Sequence, residues 1–444
     1  MRRDGRHPFR LDTVSALKTT GLITAGILLL GFSCVGVLYL TRGTPVSSVR
    51  TFGQAPPPGV LDPLFRRTVD LLAGMTMQDG NDVEVLVNGD QTYPRLWADL
   101  RSARQTITLQ MYYGNPGKVA DTLKTILIER ARAGVRVLYL HDAIGLQNLK
   151  DEWRDSLRAA GVQVAVFRPP RWYQLDKAGH RSHIRVVVVD GHIGYTGGFG
   201  IDDKWLGDGR TNGSWRDTNA RFLGPAVMQL QAAFAAGWAE ATGELITGQL
   251  FFPIEEFRSD GDDFGALLHM APTIGSTPAE RFLALSIEGA RRTMYIANSY
   301  FVPDDDFRRM LVAAAQRGVD VRILTASDKT DIKTTWYAGR KRYEELLEGG
   351  VRVYEYAPTM MHAKTFVIDG VWSTVGTMNF DNRSLAYNDE SNLVTFDRRV
   401  GAIMDSIFLE DLKHSTEIKL ETFRRRPWHQ KVFESGANIL SRLL

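Results

Sequence analysis

One construction occurs twice in this chain, and no other feature constrains the fold as strongly. His362-Ala363-Lys364 is followed by Asp369, and His183-Ile184-Arg185 is followed at the same offset by Asp190. Each set runs into a glycine turn, Gly376-Thr377-Met378-Asn379 in one case and Gly197-Gly198-Phe199-Gly200 in the other. The likeness extends around both. Ala103-Arg104-Gln105-Thr106 matches Ala290-Arg291-Arg292-Thr293, Ala133-Gly134-Val135 matches Arg317-Gly318-Val319, and Ala160-Gly161-Val162 matches Gly349-Gly350-Val351, in the same order. Ordered self-similarity of this kind marks an internal duplication. Two copies side by side place equivalent residues across a pseudo-two-fold axis, so both motifs are expected to build one active site.

Between these landmarks, strand-like and helix-like segments alternate. Residues 82–88 read as a strand, and 94–103 as a helix opened by Pro94, where a missing N–H is tolerated. Residues 106–113 alternate like a strand, 119–133 are helical, 135–140 form a strand, 150–160 a helix closed by Gly161, and 162–167 a strand. Short turns between such elements argue an α/β fold, a sandwich around a central sheet. The first domain is expected over 61–248 and the second, with a C-terminal tail, over 266–444. Residues 249–265, with Asp260, Gly261, Asp262 and Asp263, read as the linker.

The 444 residues are enough for two domains, and 44% hydrophobic with 24% charged content describes a folded chain. A net charge of +3 gives no support for nucleic acid as a partner. The single cysteine, Cys34, excludes a disulfide framework and a cysteine-based metal site. Residues 19–41 carry no charge and are long enough to span a bilayer as a helix. Arg2, Arg3, Arg6, Arg10 and Lys18 precede the run, whereas Arg42 and Arg50 are the nearest basic residues after it. This bias predicts a cytoplasmic basic N-terminus (1–18), a transmembrane anchor (19–41), a tether (42–60) and domains on the extracytoplasmic side of a cell membrane. A cleaved signal peptide and a buried soluble helix are the competing readings. Gly36-Val37-Leu38 is a poor cleavage site, and the run is long for a signal core.

The motifs carry the chemistry. His362 and Lys364 are two apart and share a face of an extended segment, as do His183 and Arg185. The apolar runs that follow end at Asp369 and Asp190, and a hairpin returns each glycine turn beside its histidine. Two histidines facing one phosphodiester divide the labour. A neutral imidazole attacks phosphorus and forms a phospho-histidine, while an imidazolium opposite protonates the leaving alkoxide. Arg185 and Lys364 neutralise the non-bridging oxygens. No metal or other cofactor is expected, because the nine histidines are scattered and cations supply the electrostatics.

His-x-Lys-x4-Asp followed by Gly-[Gly/Ser]-x-Asn resembles the signature of the phospholipase D superfamily. His362, Lys364, Asp369, Gly376 and Asn379 fit it, with Thr377 in the usual serine position; His183, Asp190, Gly197 and Gly198 fit it in the first copy. Arg185 stands where that family has lysine, and Gly200 where it has asparagine. Asn379-Phe380-Asp381-Asn382-Arg383-Ser384, Asn388-Asp389-Glu390, Trp215-Arg216-Asp217-Thr218 and Tyr300-Phe301-Val302-Pro303 are most similar to bacterial cardiolipin synthases.

The resemblance implies an internally duplicated phospholipase D-like α-β-α sandwich whose halves form one active site. It gives His183 the nucleophile role and counts His362, Arg185, Lys364, Asp190 and Asp369 with the catalytic signature. Locally, the two aspartates read as turn caps rather than proton carriers. Asn379, Gly197, Gly198, Gly376 and Thr377 would bind substrate. An acidic residue after each motif, Asp217 and Glu390, would orient that motif's histidine. The implied substrates are phospholipids at a membrane, with two phosphatidylglycerols joined into cardiolipin and glycerol. Hydrolysis to phosphatidic acid would use the same residues with water as acceptor. A nuclease of the superfamily and a catalytically impaired lipid-binding protein are the remaining alternatives. Gly200, one amide short in the first half-site, is what favours impairment. Trp172, Tyr173, Trp205, Trp215, Tyr300, Phe301, Trp336 and Tyr337, with Arg171, Lys204, Lys329 and Lys333, are candidates for a groove taking an anionic lipid. His141 is a weaker candidate for substrate contact. The tail, with Trp428, Val432, Phe433 and Ile439, is expected on the membrane or on the first domain.

Overall fold

The computed structural model describes residues 13–41, 46–53, 56–169, 180–211, 213–253, 261–272 and 275–439. Among them, fifteen strands form one continuous sheet. The first half contributes β1 (Gln78–Val87), β2 (Thr106–Met111), β3 (Arg136–Asp142), β4 (Gln163–Phe167), β5 (Val186–Val189), β6 (Ile193–Gly197) and β7 (Thr218–Leu223). The second contributes β8 (Asp263–Met270), β9 (Thr293–Asn298), β10 (Asp320–Ala326), β11 (Arg352–Tyr356), β12 (Lys364–Ile368), β13 (Trp372–Gly376) and β14 (Glu390–Phe396), with β15 (Ser415–Ile418) at its edge.

The order across the sheet is β15-β11-β10-β9-β12-β13-β14-β8-β1-β7-β6-β5-β2-β3-β4. Followed outward from the centre, β1-β7-β6-β5-β2-β3-β4 repeats β8-β14-β13-β12-β9-β10-β11 strand for strand. The halves meet where β1 and β8 pair antiparallel, with Gln78 opposite Gly265 and Asn81 opposite Asp263. An antiparallel pair of equivalent strands is what a two-fold rotation generates. The duplication is therefore built into the sheet.

Helices cover both faces, which is why β5 is an unbroken run of valines buried on both sides. Val187 and Val189 join Leu123, Ile126 and Leu127 of helix Lys118–Arg132 in a core belonging to the first half. Val186 and Val188 join Leu230 and Phe234 of helix Ala226–Thr242 in a core that also holds Val367, Val375 and Phe408 of the second half. That shared layer fixes the two motif strands relative to one another.

Several boundaries differ from the sequence reading. The helix expected over 94–103 runs Asn88–Ser102, with Pro94 inside it. At its start Asn88 takes the left-handed conformation with φ of 61°, Val87 N–H donates to Gln91 Oε1 at 2.8 Å, and Asn88 Oδ1 receives Asp217 N–H at 3.0 Å. The first-domain boundary at 61 also moves, because helix Pro63–Ala73 lies on the second half. Phe65 meets Trp372 edge-on at 5.2 Å, and Val60 at the end of the tether is buried in the same core. The expected linker overlaps β8, which begins at Asp263; residues 254–260 lie outside the described residues. The tail helix, Trp428–Ile439, packs on helix Lys333–Arg340 of the second half rather than on the first, with Tyr337 and Phe433 rings 5.6 Å apart.

At the N-terminus, Thr13–Thr41 is a helix whose side chains are described for 18–33, where Leu22, Ile27, Leu29 and Phe32 are exposed. Among the described residues, no helix is long and apolar enough to cross a membrane. Arg2, Arg3, Arg6, Arg10 and Arg42 lie outside the described residues, as do Arg171, Trp172 and Tyr173.

Candidate active site

The motif strands are β5 and β12, and each is tied down at the end away from its histidine. Asp190 and Asp369 take the left-handed conformation there, with φ of 52° and 54°. The Asp190 carboxylate accepts the backbone N–H groups of Arg104, Gln105 and Thr106, each at 2.8 Å. Asp369 accepts those of Arg291, Arg292 and Thr293 at 3.0, 2.7 and 2.9 Å. Each aspartate thus pins the end of a motif strand to the start of its neighbour, β2 or β9. Both carboxylates are committed to these backbone bonds, as turn caps rather than proton carriers.

The glycine turns act one step back from the substrate. Gly197 lies opposite Asn219, and Gly376 opposite Asn392. A Cβ at Gly376 would fall 2.4 Å from the Ser391 carbonyl, and one at Gly198 would fall 2.4 Å from the Asp217 carboxylate. Asn392 Oδ1 receives the N–H groups of Thr377 at 3.2 Å and Met378 at 3.1 Å, and Asn219 Oδ1 receives that of Phe199 at 3.1 Å. Thr377 Oγ1 receives the Ser391 N–H at 2.9 Å, and the Thr377 side chain favours the charged form of Glu390. Gly197, Gly198, Gly376 and Thr377 therefore press against the segments that carry the acidic residues. Of the five expected substrate binders, Asn379 lines the cavity.

Both histidines are buried and point into one cavity of about 370 Å³. His183 Nδ1 lies 2.9 Å from Glu390 Oε2, and His362 Nδ1 lies 2.8 Å from Asp217 Oδ2. The pairing is crossed: the acid after the second motif holds the first histidine, and the acid after the first holds the second. The sequence reading has the right acids on the wrong partners. Backbone contacts explain the exchange. His183 N–H donates to Asp389 O at 2.9 Å and His362 N–H to Arg216 O at 2.7 Å, so each loop runs beside the opposite motif. Arg216 is fixed in turn by Asp411, which accepts two bonds at 2.9 and 2.7 Å. With Nδ1–H donated to a carboxylate, Nε2 is the nitrogen whose lone pair is offered to a substrate.

Arg185 and Lys364 sit between the histidines in equivalent positions. Arg185 Nη1 donates to the His183 carbonyl at 2.8 Å and its Nε to the Phe199 carbonyl at 3.2 Å. Lys364 Nζ donates to the His362 carbonyl and to Ser299 Oγ, both at 2.6 Å. Ser299, absent from the sequence reading, thus aims the lysine. Burial, then the nearby cations, hold both imidazoles well below their usual range, which favours their neutral form. Burial brings Lys364 down to about 7 and lifts Glu390 to about 7 and Asp217 to about 6. So many buried cations around a cavity favour an anion inside it. Among the described residues, no group of histidines, cysteines or carboxylates could hold a metal ion.

Gly200 is explained by Trp205. A Cβ at position 200 would lie 2.7 Å from the indole ring, so a larger residue and this tryptophan exclude one another. The indole N–H donates to Asp217 Oδ2 at 2.8 Å, and its ring meets His362 edge-on at 5.3 Å. In the first half-site, glycine at position 200 makes room for an indole that supports the acid holding His362. The cavity is also lined by Tyr112, Tyr113 and Asp331, which sequence reasoning did not single out, and by Asp381 and Arg383 of the segment after the second motif. His141 is not among its lining residues; it is buried, its Nδ1 lies 3.1 Å from the Asp142 carbonyl, and burial lowers its pKa to about 4.

Comparison with known proteins agrees with this geometry. Residues 96–236 and 283–412 match the family model described as cardiolipin synthase, PLD-like domain. The chain belongs to this family. A cardiolipin synthase of Geobacillus sp. is 37% identical, over 82% of this chain and 72% of its own length. Cardiolipin synthase 2 of Bacillus anthracis is 34% identical, over 86% and 74%. Among solved structures, the phosphatidylserine synthase of Haemophilus influenzae shares the fold, with a TM-score of 0.64 at 12% identity over 86% of this chain and all of that one. The family therefore carries its two phospholipase D-like repeats here in one chain, as the sheet order requires.

Proposed function

We propose that the protein is a cardiolipin synthase: it transfers a phosphatidyl group from one phosphatidylglycerol to a hydroxyl of a second, releasing glycerol. The observation that carries this reading is the pair of buried histidines, held by crossed carboxylates around one cationic cavity, in a chain of the cardiolipin synthase family.

The residues divide the reaction as follows. The donor phosphate enters between Arg185 and Lys364, which compensate its charge as the transition state forms. Its negative charge also raises the proton affinity of the imidazoles, so His362 takes up a proton on binding. His183 Nε2 attacks phosphorus; the new P–N bond forms as the bond to the glycerol oxygen breaks, and His362 gives its proton to that oxygen. After glycerol leaves, His362 Nε2 removes the proton from the acceptor hydroxyl. The acceptor oxygen then attacks phosphorus, the P–N bond breaks, and His183 returns to its neutral form. Glu390 and Asp217 hold the imidazoles in register throughout.

The uncharged run 19–41, within helix Thr13–Thr41, serves in this reading as a single-pass anchor that holds the catalytic halves on the extracytoplasmic face of a bacterial membrane. The decisive experiment incubates the purified full chain with labelled phosphatidylglycerol in liposomes and separates the lipids. Cardiolipin with equimolar glycerol is expected. Phosphatidic acid alone would assign hydrolysis instead, and no conversion of any phospholipid would overturn the enzymatic reading. Protease added outside cells whose outer barrier is opened should reach the catalytic halves; full protection would overturn the orientation.

A further inference from the structure

The pseudo-two-fold axis relates Gly200-Ile201-Asp202-Asp203-Lys204-Trp205 to Asn379-Phe380-Asp381-Asn382-Arg383-Ser384, so Lys204 and Arg383 occupy equivalent positions. Both line the cavity, and the mechanism above uses neither. Like the acids, they act across the halves: the Arg383 charge bears on His183, and the Lys204 charge on His362. Lys204 is held in an aromatic box. Its Nζ is 3.7 Å from the ring centres of both Tyr113 and Trp215, and Trp215 is 4.9 Å from the His362 ring. Its nearest carboxylate oxygen, Asp202 Oδ2, is 4.0 Å away, and its side chain is 21% exposed. The rings fix the ammonium in place by cation–π attraction. They do not neutralise it, and burial lowers its pKa to about 8. An anion arriving there would relieve that penalty.

Resting on the functional reading above, we propose that Lys204 binds the acceptor's own phosphodiester, the one that is not transferred. In-line displacement puts the leaving glycerol and the incoming hydroxyl on the same side of phosphorus, opposite His183 and beside His362. A phosphatidylglycerol acceptor that presents its terminal hydroxyl to His362 carries its phosphate one glycerol further out. Lys204 is the cation on that flank. It distinguishes an anionic lipid acceptor from water or free glycerol, neither of which has a phosphate to offer.

The test uses the full chain with Lys204→Gln and Lys204→Arg. Transfer is measured to two acceptors: to phosphatidylglycerol, read as cardiolipin formed from a donor labelled in its phosphatidyl group, and to free glycerol, read as labelled glycerol incorporated into phosphatidylglycerol. Lys204→Gln should raise KM for the lipid acceptor on the order of tenfold or more relative to its effect on glycerol, and Lys204→Arg should restore most of that difference. Equal losses for both acceptors, or no loss for either, would overturn the proposal. A binding arm needs no turnover. The soluble head group with two phosphodiesters, bis(glycerophospho)glycerol, should bind more tightly than glycerophosphoglycerol, and Lys204→Gln should abolish the preference. If the wild type makes no cardiolipin yet shows that Lys204-dependent preference, the functional reading fails and the two-phosphate site stands. If it makes cardiolipin and the preference survives Lys204→Gln, the site fails and the function stands.

Discussion

His183 Nδ1 and Glu390 Oε2 are 2.9 Å apart although they belong to opposite halves of the duplication. The reciprocal bond joins His362 to Asp217 at 2.8 Å. Neither half holds a complete histidine–acid pair, so neither has a functional site alone. The crossing gives the acids separable effects. Glu390→Gln should block the first chemical step, since it unsettles the nucleophile, and lower kcat roughly 10²–10⁴-fold. No phosphatidyl-enzyme should then appear after a rapid denaturing quench at mildly alkaline pH, where the P–N bond survives. Asp217→Asn should cost turnover on a similar scale but still form the intermediate with a donor whose leaving group needs no proton, such as a nitrophenyl phosphodiester. If Asp217→Asn instead abolished the intermediate with that donor while Glu390→Gln spared it, the assignment of nucleophile and acid would be reversed.

Asp190 and Asp369 lead to a different outcome. Each carboxylate satisfies three backbone N–H groups at the start of a neighbouring strand. Asp190→Ala or Asp369→Ala should lower stability by about 1–3 kcal/mol, read as a fall in unfolding midpoint. The protein that remains folded should keep kcat within a few-fold. A loss of several orders of magnitude at full stability would restore a chemical role.

The fold was legible because duplication and periodicity are properties of the sequence itself. Matched strand starts such as Thr106 and Thr293 sit in equivalent strands, and the motif valines that read as a strand are one. The acids at 217 and 390 were legible by their place after each motif. Their partners were not, because chain order does not say which half's loop runs beside which histidine; that depends on how β1 meets β8. Pro94 misled for a related reason: the side chains of Asn88 and Gln91 start the helix a full turn before the proline, outweighing the local preference. The tail and helix Pro63–Ala73 are amphipathic in sequence, which predicts burial of one face but not which half receives it.

Gly200 read as a missing amide, and that too required three dimensions to correct. Trp205 occupies the volume, so Gly200→Asn should impair the enzyme rather than improve it. Overpacking beside a buried ring costs typically about 1–3 kcal/mol, and displacement of the indole would also release Asp217. A rise in activity with unchanged stability would count against this account. Trp205→Phe isolates the hydrogen bond. Loss of the indole N–H removes a group that lowers the Asp217 pKa, so that pKa should move further up. The acid limb of the kcat profile should shift to higher pH in this variant, with a loss in kcat of about tenfold.

Lys364 makes phosphate affinity depend on pH in a direction that can be worked out. Burial brings its pKa down to about 7, against the opposing pull of Asp217. A bound phosphodiester anion favours the ammonium, so the pKa in the complex lies above that in the free protein. Binding then takes up a proton wherever the free lysine is neutral. Affinity is fully present below the free pKa and is lost as pH rises through it toward the bound value, by up to about tenfold per pH unit. Calorimetric titration of glycerophosphoglycerol at a series of pH values should show Kd rising on the alkaline side, in two buffers of different ionisation heat that report the proton uptake. Lys364→Arg keeps its charge across this range and should remove the lysine's share of the dependence, leaving the proton taken up by His362, although the larger fork lowers turnover. A wild-type affinity that stayed constant through neutrality, with no proton uptake, would mean that Lys364 is already charged before substrate binds and that His362 gains no proton on binding.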